Sequence, residues 1–265
     1  MTIAIGLAVP DGIALAADTQ TTWTRTIDKA IDKGSGQEFE LADPIQLPVG
    51  WSRLARKLFR LSVVGKEFAI VVAGAALINQ KTPYSIFKSR EQTYTGDGSY
   101  DSFLQHLIDG VKAEMLIHFG VADLKIAPIM FLDFILAGYD GADVSKPILR
   151  AVGVYSGSPS RQDGSGVVTH WRNDDSPNRR FTICWIGRGE FVSHVVSHTN
   201  AQLPSISSQY SLLTLADAED YVRFLAEFTC DFQRFAVMVP DCGRPVIAAT
   251  LTPERYSEKA GTLDR

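Results

Sequence analysis

Thr2-Ile3-Ala4-Ile5-Gly6-Leu7-Ala8-Val9-Pro10-Asp11-Gly12-Ile13-Ala14-Leu15-Ala16-Ala17-Asp18 is the stretch whose reading decides the fold. Two apolar runs flank Pro10-Asp11-Gly12, where proline presets φ and glycine accepts a positive one, so the stretch predicts a β-hairpin. Nearly every position in both runs is apolar, which suits strands covered on both faces rather than an edge open to water. The hairpin puts a threonine at the very start of one buried strand and a carboxylate, Asp18, at the end of the strand beside it.

That placement carries a chemistry. Loss of Met1 leaves Thr2 with a free α-amine next to its own hydroxyl, and such an amine can serve as the base that activates the hydroxyl. An α-amine titrates near about 8, so much of it is protonated and useless as a base at neutral pH. A positive charge close by lowers that value. The arrangement therefore calls for a lysine, and for a carboxylate such as Asp18 to hold it.

The spacing of Thr2, Gly12, Ala16-Ala17-Asp18 and Thr22 resembles the start of proteasome β-type subunits and their bacterial ring-forming relatives, the N-terminal-nucleophile (Ntn) threonine proteases. Further along, Lys57-Leu58-Phe59-Arg60-Leu61 is similar to the strand that carries the family's catalytic lysine, and Ala73-Gly74-Ala75-Ala76 to the end of the next strand. Ala137-Gly138-Tyr139-Asp140 resembles the family's third hairpin. The resemblance implies a catalytic set of Thr2, Asp18, Lys57 and the backbone N–H of Gly74. It also implies that Thr22 binds substrate backbone and that Val72 and Ala76 flank the pocket for the side chain before the cut. Lys33 is the rival to Lys57, but it lies between Asp32 and a Gly-Ser-Gly stretch with no strand around it. Two departures stand out. Arg188, in Gly187-Arg188-Gly189, takes the place of a family serine, and arginine accepts no hydrogen bond. Near Cys242-Gly243 the place of a family aspartate falls on Val239, with Asp241 close by.

The 265 residues are 45% hydrophobic with a mean hydropathy near zero, ordinary for a globular chain. A net charge of −4 leaves no basic footprint for nucleic acid. Cys184, Cys230 and Cys242 have no metal or redox spacing and fit a reducing cytoplasm. The apolar start lacks the basic residues of a signal peptide and is broken by Pro-Asp-Gly. No apolar run approaches the roughly 18 residues of a membrane span. His194 and His198 sit four apart on an expected helix, but no glutamate follows His194 as in a zinc-protease motif, so neither a metal nor any other cofactor is expected.

In order, residues 20–53 read as a polar surface loop, an insertion relative to the resembled family. Strands are expected at 56–61 and 68–74, a helix at 75–90 interrupted by Pro83, and a firmer helix at 99–120. Strands follow at 129–138 and 147–155, a loop at 156–180, and a strand at 181–186. Helices from 187 to about 200 and at 214–235, a last strand at 246–251 and a loose tail at 253–265 complete the chain. This order resembles the family's α+β, four-layer αββα sandwich, two face-to-face antiparallel sheets between helical layers. A single domain over 1–265 is expected, with loop insertions at about 23–53 and 156–180. The resemblance implies cleavage of polypeptide substrates inside a homo-oligomeric ring, with an ATP-dependent unfoldase as a further partner. The alternatives are a non-catalytic structural subunit of the same fold and an Ntn amidohydrolase of a small amide. Thr2→Ala and Lys57→Ala are each expected to abolish turnover and spare the fold.

Overall fold

The computed structural model describes residues 2–52, 55–140, 143–157, 166–172, 181–197, 210–235 and 242–259. The opening stretch forms β1 (Ile3–Val9) and β2 (Gly12–Asp18), paired antiparallel from Ala4 opposite Ala17 to Val9 opposite Gly12. All residues of both strands are buried, because the pair lies inside a five-stranded sheet rather than at its edge. Its order is β10 (Ile183–Gly187), β1, β2, β11 (Val246–Leu251), β12 (Tyr256–Lys259). At the turn, Gly12 has φ +155°, and a Cβ there would stand 2.7 Å from the Leu251 carbonyl oxygen, so no larger residue fits.

The second sheet runs β5 (Leu58–Val63), β6 (Lys66–Gly74), β7 (Met130–Asp140), β8 (Asp143–Ser156), β9 (Val167–Arg172), all antiparallel neighbours. The two sheets meet face to face over a core of mostly small and aliphatic residues, among them Ala4, Leu15 and Ala17 from one and Ala69, Val71 and Leu149 from the other. Alternation along the strands then sends the intervening residues outward. Phe59, Phe68 and Phe134 pack under α1 (Pro83–Thr93) and α2 (Tyr100–Phe119). On the far side, Ile3, Ile5 and Leu7 pack under α3 (Glu190–Ser197) and α4 (Leu215–Phe235). The result is the expected four layers, with three apolar interfaces in which each fully buried large side chain contributes about 1.5–3 kcal/mol.

Local signals explain the helices. Ser99 caps α2 by accepting from the Ser102 N–H, and Gly120, at φ +64°, closes it. Thr214 and Asp217 bond each other reciprocally at the start of α4. The first helix differs from expectation. It starts at Pro83 rather than being interrupted by it, since a missing N–H costs nothing in the first turn, and Thr82 supplies the cap.

Residues 20–53 also differ. They form an antiparallel ribbon of β3 (Thr21–Ile31) and β4 (Glu38–Ser52) instead of an irregular loop. The Asp32 carboxylate gathers the N–H groups of Gly34 and Ser35 into the connecting turn, so the Gly-Ser-Gly stretch punctuates a hairpin. Within the expected 156–180 loop, β9 adds an edge strand. In the expected tail, Tyr256–Lys259 pairs with β11. Short edge strands of mixed polarity have no strong alternation to be read. No described helix is long and apolar enough to cross a membrane.

Candidate active site

Four strand ends converge at one end of the two sheets: the start of β1, the end of β2, the start of β5 and the end of β6. Asp18 closes β2 with no exposed surface, in register with Val246 of β11. Its Oδ1 accepts from the backbone N–H of Ile3 at 3.1 Å and from Lys57 Nζ at 3.0 Å. Its Oδ2 accepts from Lys57 Nζ at 3.1 Å, the Gln20 N–H at 3.1 Å and the Gly243 N–H at 3.2 Å. Lys57, 7% exposed, gives a further bond to the Gln20 carbonyl, and its own carbonyl accepts from the Val72 N–H at 2.9 Å. One carboxylate thus ties the ammonium to the backbone next to Thr2. Complete burial pushes the Asp18 carboxyl above the ordinary aspartate value, while the Lys57 ammonium and the N–H groups of Gly243 and Ile3 pull it back.

Thr2 is 4% exposed, and its peptide is fixed from both sides. Its carbonyl accepts from the Arg188 N–H at 2.8 Å, and the next N–H goes to Asp18. Gly187, at φ +81°, makes that approach geometrically open, since a Cβ there would stand 1.8 Å from the Thr2 carbonyl oxygen. The Arg188 guanidinium reaches Glu190 at 3.4 Å.

Gly74 ends β6 at φ +103°, and a Cβ would meet the Phe131 carbonyl at 2.6 Å. Register sets where its amide points. Ala75 N–H donates to Phe131 in β7, and Val72 N–H to Lys57 on the other side. Donors alternate along a strand, so the Gly74 N–H faces the Lys57 side, beyond the start of β5.

The other expected residues are spread more widely. Thr22, at the start of β3, has its hydroxyl 3.4 Å from Gln20 Nε2. Val72 packs in the core beneath α1 and α2, and Ala76 is half-buried just past β6. Lys33 lies exposed in the ribbon turn. His194 is on α3; His198, Val239 and Asp241 fall outside the described residues. Among the described residues, no three histidine, cysteine or acidic side chains gather as a metal site would require. Cys230 and Cys242 hydrogen-bond each other, which together with burial raises the Cys230 thiol and leaves it a poor nucleophile.

Sequence reasoning missed Gly243, Gln20 and the Arg188 backbone. They act through main-chain atoms, which every residue type carries, so composition and spacing leave no trace of them. Only Cys242-Gly243 offered a signal, through its likeness to a family Ser-Gly.

The fold defines the class: an α+β, four-layer αββα sandwich, two face-to-face antiparallel sheets between helical layers. No protein-family model matches the chain, and no curated sequence matches it. Among solved structures, it is similar to a Gly-1 mutant of Anbu from Hyphomicrobium sp. strain MC1, with TM-score 0.58 and 15% identity over 100% of this chain and 89% of that one. Anbu (ancestral beta-subunit) from Yersinia bercovieri gives 0.58 and 14% over 99% and 88%. The Anbu complex from Pseudomonas aeruginosa, described as a helical assembly, gives 0.59 and 11% over 100% and 88%. These neighbours correct the resemblance drawn from the opening motif. They are Anbu proteins, proteasome-like but distinct from proteasome β-type subunits and their bacterial ring-forming relatives. At such identities the likeness is one of fold.

Proposed function

We propose that this chain is an Ntn amide hydrolase, a threonine-type peptidase acting on polypeptides within a self-compartmentalised homo-oligomer. The observation that carries the reading is Asp18 Oδ1, which bridges Lys57 Nζ and the Ile3 N–H and so keeps a buried ammonium beside Thr2. The reading requires the Met1–Thr2 bond to be cut. The α-amine of Thr2 then takes the Oγ proton while Oγ attacks the scissile carbonyl. The Gly74 N–H donates to the developing oxyanion, a contribution of about 10² to 10³ in rate for one such donor. The C–N bond breaks as the amine passes its proton to the leaving group, and water then hydrolyses the ester on Oγ. Thr22 and Ala76 are proposed to shape the substrate groove, with Val72 backing it from the core, and 1–265 to form a single domain. Three free thiols suit a cytoplasmic setting.

The test is intact mass of the protein from cells, followed by a β-lactone. Loss of Met1 and one adduct on Thr2, absent in Thr2→Ala, is the expected result. Retained Met1 would end the enzymatic reading. Met1 lost without an adduct would favour the second reading, a non-catalytic subunit of the same fold. One observation supports that reading: the Arg188 guanidinium, in place of a serine hydroxyl, turns to Glu190.

Self-association is supported by the helical assembly described for the Anbu neighbour. A row of rings on α4 supports it too: Phe224, Phe228, Phe232 and Phe235 are 40–88% exposed, and Phe191 stacks on Phe228 at 4.2 Å. Contiguous apolar surface of this kind marks contact sites. Phe232→Glu should lower the particle mass seen by light scattering; an unchanged mass would place the contact elsewhere.

A further inference from the structure

Asp18 is held by groups from four parts of the chain. Lys57 precedes β5, Ile3 opens β1, and Gln20 follows β2. The fourth donor, the Gly243 N–H, lies 225 residues away in sequence. Next to it in sequence, the N–H of Cys242 donates to Gln233 Oε1 of α4 at 3.1 Å, which anchors the chain one residue before the Gly243 amide. Cys242 is 1% exposed, and its thiol bonds that of Cys230, one helical turn before Gln233. Gly243 passes close against the Gln20 side chain, since a Cβ there would stand 2.1 Å from Gln20 Oε1.

We infer that Gln233 is a positioning residue for the Asp18 carboxylate, acting through the Cys242–Gly243 backbone. An α4 side chain thereby sets how many N–H donors Asp18 receives, and with them how firmly it stays ionised opposite Lys57. Besides Lys57, the Cys230 thiol feels the Asp18 charge; its bond to Cys242 and burial push it upward, so it carries no competing charge near pH 7, and loss of Met1 would add the Thr2 α-amine next to Ile3. The Gly243 N–H pulls the Asp18 carboxyl downward, so its loss moves the titration upward in pH. The effect on turnover rests on the amide-hydrolase reading above; the effect on Asp18 does not.

The experiment compares the full chain with Gln233→Met, which keeps size but cannot accept. Carboxyl titrations are followed by ¹³C NMR on aspartate-labelled protein, with Asp18 assigned by its absence in Asp18→Asn. Gln233→Met should move the Asp18 titration upward. In peptide hydrolysis, kcat should fall about tenfold in Gln233→Met, with KM unchanged and the acid limb moved upward, as loss of one hydrogen bond to a charged group implies. If Gln233→Met does not fold, Gln233→Asn, whose acceptor is one carbon short, should give the same upward movement. An Asp18 titration that stays put in whichever of these variants folds overturns the inference. A titration that moves while the parent cleaves no peptide upholds the positioning role and removes the hydrolase reading.

Discussion

Lys57→Ala is expected to lower the unfolding free energy by about 3–5 kcal/mol, the usual cost of removing one partner of a buried ion pair. Asp18 has no exposed surface and would be left with three N–H donors and no counter-charge. The sequence alone suggested a substitution that spares the fold; the complete burial of its partner adds an expected cost in stability. The deficit should depend on pH in a defined direction. The folded-state value of Asp18 already lies above its reference of 3.8, and losing Lys57 raises it further. Between the two values the folded chain binds more protons than the unfolded one, so stability falls as pH rises through that window. The deficit is therefore full above the folded-state value and shrinks as pH drops toward the unfolded one. Urea unfolding across pH measures this, and a change within about 0.5 kcal/mol at neutral pH, as at a surface site, would mean that the pair is not buried in solution.

Gly187→Ala should be comparably damaging, at roughly 2–5 kcal/mol from strain at positive φ together with overpacking. The new methyl would stand 1.8 Å from the Thr2 carbonyl oxygen, a main-chain atom held in the β1–β10 pairing. Relief requires moving Thr2 or breaking its bond from the Arg188 N–H. The substitution thus separates geometry from chemistry, since it leaves Thr2, Asp18 and Lys57 in the sequence while displacing the first. Chemical denaturation gives the stability, and the β-lactone adduct on Thr2 reports the displacement. A variant as stable and as reactive as the parent would show that Thr2 does not sit against β10.

The second large effect and the first share a cause, which also explains what could be read in advance. Central strands announce themselves: residues 3–9 and 13–17 are apolar at consecutive positions because both faces are covered, one by the other sheet and one by α4. The amphipathic pattern of α2 and α4 and their capping residues are local for the same reason. The ribbon of β3 and β4 was hidden by the charges and glycines of its turn, and β12 by its four-residue length. The opening motif pointed to the right architecture, while the solved structures similar to the chain are Anbu proteins, distinct from the family it resembles. Spacing among a few residues constrains a strand end, whereas family membership resides in the rest of the chain.

By itself the sequence determined that a threonine and an aspartate end adjacent buried strands, since two continuous apolar runs around a Pro-Asp-Gly turn allow little else. It also put forward Lys57 ahead of Lys33, by way of the strand that follows it. Only the tertiary structure decided that Lys57 meets Asp18, that Gly243 and Gln20 complete the carboxylate's shell, and that Arg188 serves Thr2 through its backbone while its guanidinium turns to Glu190. Those contacts join main-chain atoms that lie far apart along the chain. Their partners are selected by how the sheets stack, a property no single stretch of residues encodes.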